Sequence, residues 1–280
     1  MTEQPILVTG ATGKTGSRVV SLLREKGIAV RPGSRSARPR FDWADRSTWD
    51  AALAGVEAVY LVPHELDPLA KPFVARAAEL GVERVVGLSG RGIDTPGYAG
   101  ANSGAGKLLG DVEEALRGSS LRWTIVRPTW FAQNFSEGFF LDAVLAGELR
   151  LPTGDGAATF VDAEDIAAVV VAALTDDIHH EQVYEVSGPR AVTLAEAAAE
   201  ISEATGRPMK YVPLSHAEFV AELTGHGMSA ADAGEFADTV GAIRRGLDHH
   251  VSDGVRRALG RPAREFRTFV KTAAANGAWR

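Results

Sequence analysis

Three glycines stand three residues apart in Gly10-Ala-Thr-Gly13-Lys-Thr-Gly16, directly after the apolar run Ile6–Thr9 and ahead of the helical pattern Ser17–Lys26. A strand, a glycine-rich turn and a helix start, in that order, suit a pyrophosphate. Gly10 permits the tight turn, Gly13 lets backbone approach the ligand, and Gly16 lets the helix sit close to the sheet. The helix N-terminus adds free N–H groups and the positive end of its dipole. Glycine spacing alone is a weak signal, because turns and helix starts use glycine anyway. The flanking strand and helix raise it to a dinucleotide site.

The second strand bears on which dinucleotide. An NAD site places an acidic residue about 20 residues past the glycine loop, on the ribose 2′-hydroxyl. Here the region reads Arg31-Pro-Gly-Ser34-Arg35-Ser36-Ala-Arg38, with no acid between Glu25 and Asp42. A guanidinium fork among hydroxyls suits a 2′-phosphate. The expected cofactor is NADP(H), with NAD(H) second; a solvated basic loop is the plainer alternative for these arginines.

The elements that must position these groups alternate. Strands at Ile6–Thr9, Ala29–Arg31, Ala58–Val62, Arg84–Ser89 and Trp123–Arg127 are separated by helical patterns near 17–26, 48–54, 68–80 and 105–117. That alternation predicts an α/β fold, a Rossmann-type doubly wound parallel sheet, with a smaller, mostly helical C-terminal substrate lobe. Beyond Pro128 the pattern loosens. Gly147–Gly156 reads as a turn-rich link, Val183–Ser187 as a strand, and Leu194–Thr205 as an amphipathic helix introduced by Thr193. The expected division is a dinucleotide-binding unit of residues 1–136 plus 158–190 and a lobe of 137–157 plus 191–280.

A chain of 280 residues can bury a sizeable core. Its formal net charge of −6, with no long basic run, argues against nucleic acid. The absence of cysteine excludes disulfides, thiolate catalysis and cysteine-held metals. No apolar run is long enough to span a membrane and no signal-like segment opens the chain, so a cytoplasmic protein without a membrane partner is expected. The pairs His179-His180 and His249-His250 lack ligand spacing and are expected at the surface. Asp162 and Asp165 look like paired carboxylates, but each more simply caps or anchors the helix that follows.

Together these residues resemble the atypical short-chain dehydrogenase/reductase superfamily, in its NmrA-like NAD(P)-binding branch. The resemblance rests on the glycine loop and on the runs Leu121–Phe135, Val161–Ala167 and Val183–Pro189, and it covers nearly the whole chain. Phe41-Asp-Trp43, Thr48-Trp49, Ala58–Val62, Arg127–Phe131 and Asn134-Phe-Ser136 are most similar to the ergot-alkaloid reductases, of the agroclavine or festuclavine dehydrogenase kind. The resemblance implies that Gly10, Thr12, Gly13, Lys14, Thr15 and Gly16 hold the pyrophosphate. It places Asp42 and Trp43 after a third strand and against the adenine, although Trp43 reads equally as core. It runs Val62 and Pro63 past the cofactor and sets Ser89 near the nicotinamide ribose. Asn134 either closes over the nicotinamide or caps its own loop.

Ordinary members of the superfamily carry a tyrosine four residues before a lysine, and that tyrosine passes a proton to the substrate carbonyl. Lys107 stands on the expected helix, but the position four residues earlier is Ser103. Tyr98, in the glycine-rich loop 95–104, is the tyrosine left nearby, so Tyr98 for proton transfer and Lys107 for holding ribose are the catalytic candidates. His64 follows a strand end where a site loop belongs. Trp130, Phe131, Phe135, Phe139 and Phe140 put five aromatics within eleven residues, which suggests a pocket for a small apolar or aromatic substrate, with Trp130 and Phe135 nearest to it. The same rings would equally pin the lobe to the sheet.

Two functions fit. One is an NADPH-dependent reductase passing hydride to an imine, iminium, quinone or similar conjugated acceptor, without a tyrosine–lysine acid. The other is an NADP(H)-sensing regulatory protein of the NmrA type that catalyses nothing. Oligomeric state is not legible.

Overall fold

The computed structural model describes residues 4–64, 67–95, 98 and 104–280. The apolar tetrad Ile6–Thr9 forms β1, and the glycine loop leads into α1 (Lys14–Glu25), which buries Val19, Val20 and Leu23 at helical spacing. β2 (Val30–Gly33), α2 (Trp49–Leu53), β3 (Ala58–Leu61), α3 (Ala70–Glu79), β4 (Arg84–Leu88), α4 (Gly104–Arg117) and β5 (Arg122–Pro128) continue the alternation. Two short helices, α5 (Asn134–Glu137) and α6 (Leu141–Ala146), precede β6 (Glu148–Leu151), β7 (Ala157–Ala158) and α7 (Ala163–Thr175). Then come β8 (Gln182–Val186), β9 (Val192–Thr193), α8 (Leu194–Thr205) and β10 (Lys210–Pro213). Four helices close the chain: α9 (His216–Gly225), α10 (Ala230–Arg244), α11 (Gly254–Leu259) and α12 (Phe266–Ala275).

Six parallel strands form the main sheet in the order β2-β1-β3-β4-β5-β8. The order reverses between β1 and β3, and at such a switch a crevice opens beyond the strands' C-terminal ends. Successive side chains of a strand point to opposite faces. Val8, Tyr60 and Val86 accordingly pack with α1 and α7 on one side, while Leu7, Val59 and Val85 pack with α2, α3 and α4 on the other. A third apolar cluster, with Phe135, Phe140, Phe160, Phe266 and Trp279, forms the core of the lobe. Thr193 opens α8 with a capping box to Glu196, and Asp162 caps α7 by accepting from the Glu164 N–H.

Several sequence expectations are corrected. Residues 38–43 form no strand; the loop folds back on itself, with the Phe41 N–H on the Ser34 carbonyl and the Trp49 indole on the Asp42 carbonyl. The segment expected to be only a turn-rich link contains β6, which pairs in parallel with β10 and buries Leu149 and Leu151 while Glu148 and Arg150 face out. Its period of two is short enough to be hidden between glycines. His179 is buried against Tyr184, with 2.8 Å from its Nδ1 to the hydroxyl, whereas His180, His249 and His250 are exposed. α11 returns from the lobe to pack on α7 and β8. Among the described residues no helix is long and apolar enough to cross a membrane.

Candidate active site

A cleft of about 570 Å³ opens over the ends of β1, β2 and β3. Gly10, Thr12, Gly13, Lys14, Thr15, Ser34, Arg35, Asp42, Trp43, Val62, Pro63 and His64 all line it. Gly10 has φ +60°, and a Cβ on Gly16 would stand 2.1 Å from the Gly10 carbonyl oxygen, so only glycine lets α1 start this close to the turn. The helix begins at Gly13 with no side-chain cap, which leaves its first N–H groups for a ligand. Behind the loop, the Thr9 hydroxyl accepts from the Val62 N–H at 2.7 Å and lies 3.1 Å from the Tyr60 carbonyl. Tyr60 is wholly buried and its hydroxyl donates to Thr15 Oγ1 at 3.0 Å; burial holds this phenol well above its usual pKa. Thr9 and Tyr60 thus tie the two switch-point strands together. As ordinary-looking strand residues they gave no sign of this role in the sequence.

The basic cluster separates into different roles. Arg31 donates to the carbonyls of Ala52 and Ala54 at the end of α2, and Arg40 pairs with Asp42 at 2.6 Å. Arg35 faces the cleft and makes no ion pair among the described residues. Trp43 satisfies both of its readings. Its rings meet Phe41, Trp49 and Phe73 edge-on at 4.9–5.9 Å, and it also lines the cleft.

A second cavity, of about 530 Å³, adjoins the cleft and has mostly apolar walls: Leu109, Trp130, Phe131, Phe139 and Phe236. Asn134 lines this cavity, and α10 lies along it through Asp232, Glu235, Phe236 and Thr239. Phe139 is 68% exposed, packs on Phe236 at 5.2 Å, and has Lys14 Nζ 5.8 Å from its ring centre, within cation–π range. Lys14 and Phe131 border both spaces.

Other expected site residues lie elsewhere. Phe135 is buried in the lobe core against Phe140, Phe160 and Phe266, and its carbonyl accepts the Trp279 indole N–H. α5 turns it inward and leaves Phe131 and Phe139 at the cavity. Ser89 is buried and donates to Glu113, lining neither space. Burial pushes the Glu113 carboxyl up, but the hydrogen bonds of Arg127 and Ser89 outweigh it and hold it low. Ser36 is exposed beside Ser34. Lys107 is exposed on α4, whose Gly106 and Leu109 face the cavity in its place. His64 borders the cleft and not the aromatic cavity; its Nδ1 accepts from the Asp67 N–H. Position 103 lies outside the described residues. Tyr98 does line the cavity, and its hydroxyl donates to Asp248 at 2.6 Å. Beside it Arg91 Nε stands 2.5 Å from Glu185 Oε1. Asp248 hides in the sequence behind the more conspicuous His249-His250.

Asp162 and Asp165 are structural. Asp162 accepts from Gln133 at 2.7 Å besides capping α7, and Asp165 takes the Arg264 N–H at 2.6 Å and Arg261 at 2.7 Å. Among the described residues no cluster of three metal-ligating side chains occurs.

The sequence profile of an NAD(P)H-binding family matches residues 10–177. The NAD(P)H azoreductase of Xenophilus azovorans is 35% identical, over 96% of this chain and 98% of its own. The agroclavine dehydrogenase of Claviceps fusiformis is 30% identical, over 95% of this chain and 96% of its own. Among solved structures, the NADPH-dependent quinone oxidoreductase of Escherichia coli in complex with NADPH superposes with a TM-score of 0.77 at 24% identity, over 95% of this chain and 99% of that one. The lining of the glycine-loop cleft falls within the matched span, and the chain belongs to the NAD(P)H-binding family.

Proposed function

We propose that this protein is an NADPH-dependent reductase of flat, conjugated small molecules such as quinones, azo compounds and iminium or other cationic acceptors. The observation that carries the reading is the shared wall: Lys14 and Phe131 border both the glycine-loop cleft and the aromatic cavity. The cleft fits the dinucleotide, with an uncapped helix start for the pyrophosphate and Arg35 for a 2′-phosphate. When bound, the nicotinamide supplies a hydride. The chain's own part is positioning: Trp130, Phe131, Phe139 and Phe236 hold a planar acceptor and exclude water, and Asn134 and Lys14 orient groups where the two spaces meet. Such positioning can lower a barrier by up to about 7–11 kcal/mol. Named relatives include an azoreductase and an agroclavine dehydrogenase, which supports a conjugated acceptor. The sheet with its glycine loop forms the cofactor unit and much of the acceptor's wall, and the lobe closes that wall with Phe139 and the α10 residues Asp232, Glu235, Phe236 and Thr239.

Purified protein mixed with NADPH and a panel of quinones, azo dyes, iminium salts and cationic dyes is expected to oxidise the cofactor with at least one class. Tight NADPH binding with no oxidation by any of them would sink the reductase reading.

A further inference from the structure

A buried ionisable pair that the hydride chemistry leaves unused lies at the cavity wall. Asp248 sits between α10 and α11 and is wholly buried. Its Oδ1 takes the Tyr98 hydroxyl at 2.6 Å, and the Trp130 side chain also interacts with the carboxyl. The Tyr98 ring packs on Gly92, where a Cβ would come within 2.5 Å of the ring carbons. Ring and hydroxyl are therefore both held, with the phenol on the cavity.

The surroundings favour protonated forms. Burial pushes the Asp248 carboxyl above its usual range, outweighing the hydrogen bonds of Tyr98 and Trp130 and the guanidiniums of Arg91 and Arg245. Burial also raises the Tyr98 phenol, with Asp248 and Glu185 adding to the effect and Arg91 opposing it. Arg91 anchors the segment that carries Asp248, since its Nη1 donates to the His250 carbonyl at 2.8 Å.

Resting on the reductase reading, we infer that Asp248 and Tyr98 form a proton relay serving neutral acceptors, those whose oxygen or nitrogen becomes anionic on taking hydride. The acceptor then carries a new electron pair on that atom. The Tyr98 hydroxyl turns from Asp248 to the acceptor while the protonated carboxyl becomes the donor to the phenol oxygen; the Tyr98 O–H bond then breaks and its proton bonds to the pair. The Asp248 O–H bond breaks in turn and restores the phenol. Asp248 is left as a carboxylate near Arg91, and takes a proton from water before the next cycle. A cationic acceptor is neutral once it has the hydride, so for it the relay is idle. Tyr98 is the catalytic residue here, and Asp248 supplies it.

The test sets Tyr98→Phe and Asp248→Asn against one neutral quinone and one cationic triarylmethyl dye, both with saturating NADPH. Each variant is expected to lower kcat with the quinone by about 100-fold, the scale of general acid catalysis, and with the dye by less than about tenfold. In the wild type the quinone rate falls as pH rises and Asp248 loses its proton; in Asp248→Asn that fall disappears. A readout free of turnover accompanies this. The infrared spectrum of the protein without cofactor shows a protonated-carboxyl band at neutral pH that Asp248→Asn removes. Equal losses with both acceptors, an unchanged quinone rate, or no such band overturns the relay while leaving the reductase reading standing. A wild-type protein that oxidises no NADPH with either compound overturns both.

Discussion

Arg35 is one of four arginines between residues 31 and 40, and the fold gives them separate tasks. Arg31 satisfies carbonyls at the end of α2, Arg40 neutralises Asp42, and Arg35 alone of the four lines the cleft. A guanidinium on a 2′-phosphate makes charge-assisted hydrogen bonds, each worth about 1.5–3 kcal/mol. Arg35→Asp should therefore lower the ratio of kcat/KM for NADPH over NADH by about 10- to 100-fold. An unchanged ratio in steady-state assays with either cofactor would remove Arg35 from the site. Residue type and position made the basic cluster legible in the sequence. Which arginine faces the ligand was not, because it depends on how the loop after β2 folds back through Phe41 and Trp49 onto Ser34 and Asp42. The same limit applies to Phe135 and Phe139, four residues apart. The buried ring and the exposed one are told apart only by the path of α5.

At the scale of elements, the glycine loop works because α1 starts nearly in contact with the turn before it. The 2.1 Å that would separate a Gly16 Cβ from the Gly10 carbonyl oxygen cannot be relieved by a rotamer change, since both partners are backbone. Gly16→Ala should push α1 outward, costing about 1–3 kcal/mol of stability as overpacking does. It should also weaken NADPH binding by more than about tenfold, since the helix dipole and its free N–H groups move with the helix. Denaturant unfolding and calorimetry check both effects, and a stable variant with full affinity would show that the close approach is incidental. This element was legible from sequence: a buried strand, spaced glycines and an amphipathic helix all agree locally. β6 and β10 were not, because each is only four residues long and its partner lies about 60 positions away. Short strands paired across such a distance leave a period of two too brief to read.

For the whole molecule, the consequence of one wall serving two spaces is coupling between them. Lys14 belongs to α1 at the sheet, and Phe131 to the loop that leaves β5 for the lobe, so a ligand in either space presses on the same pair. A dinucleotide in the cleft would lie against Lys14 and Phe131, the pair that also walls the aromatic cavity. A planar acceptor analogue that cannot be reduced should then bind at least about tenfold more tightly with NADP⁺ present than without it, a coupling of about 1.4 kcal/mol. Linkage requires the analogue to tighten NADP⁺ by the same factor. Phe131→Ala, which opens the shared wall, should reduce the coupling more than Trp130→Ala, which removes a ring bordering the cavity alone. Calorimetric titrations in both orders measure each limb of the cycle. Equal analogue affinity with and without NADP⁺ would mean that the cleft and the cavity act as independent sites, and that the adjacency of Lys14 and Phe131 does not make them one active site.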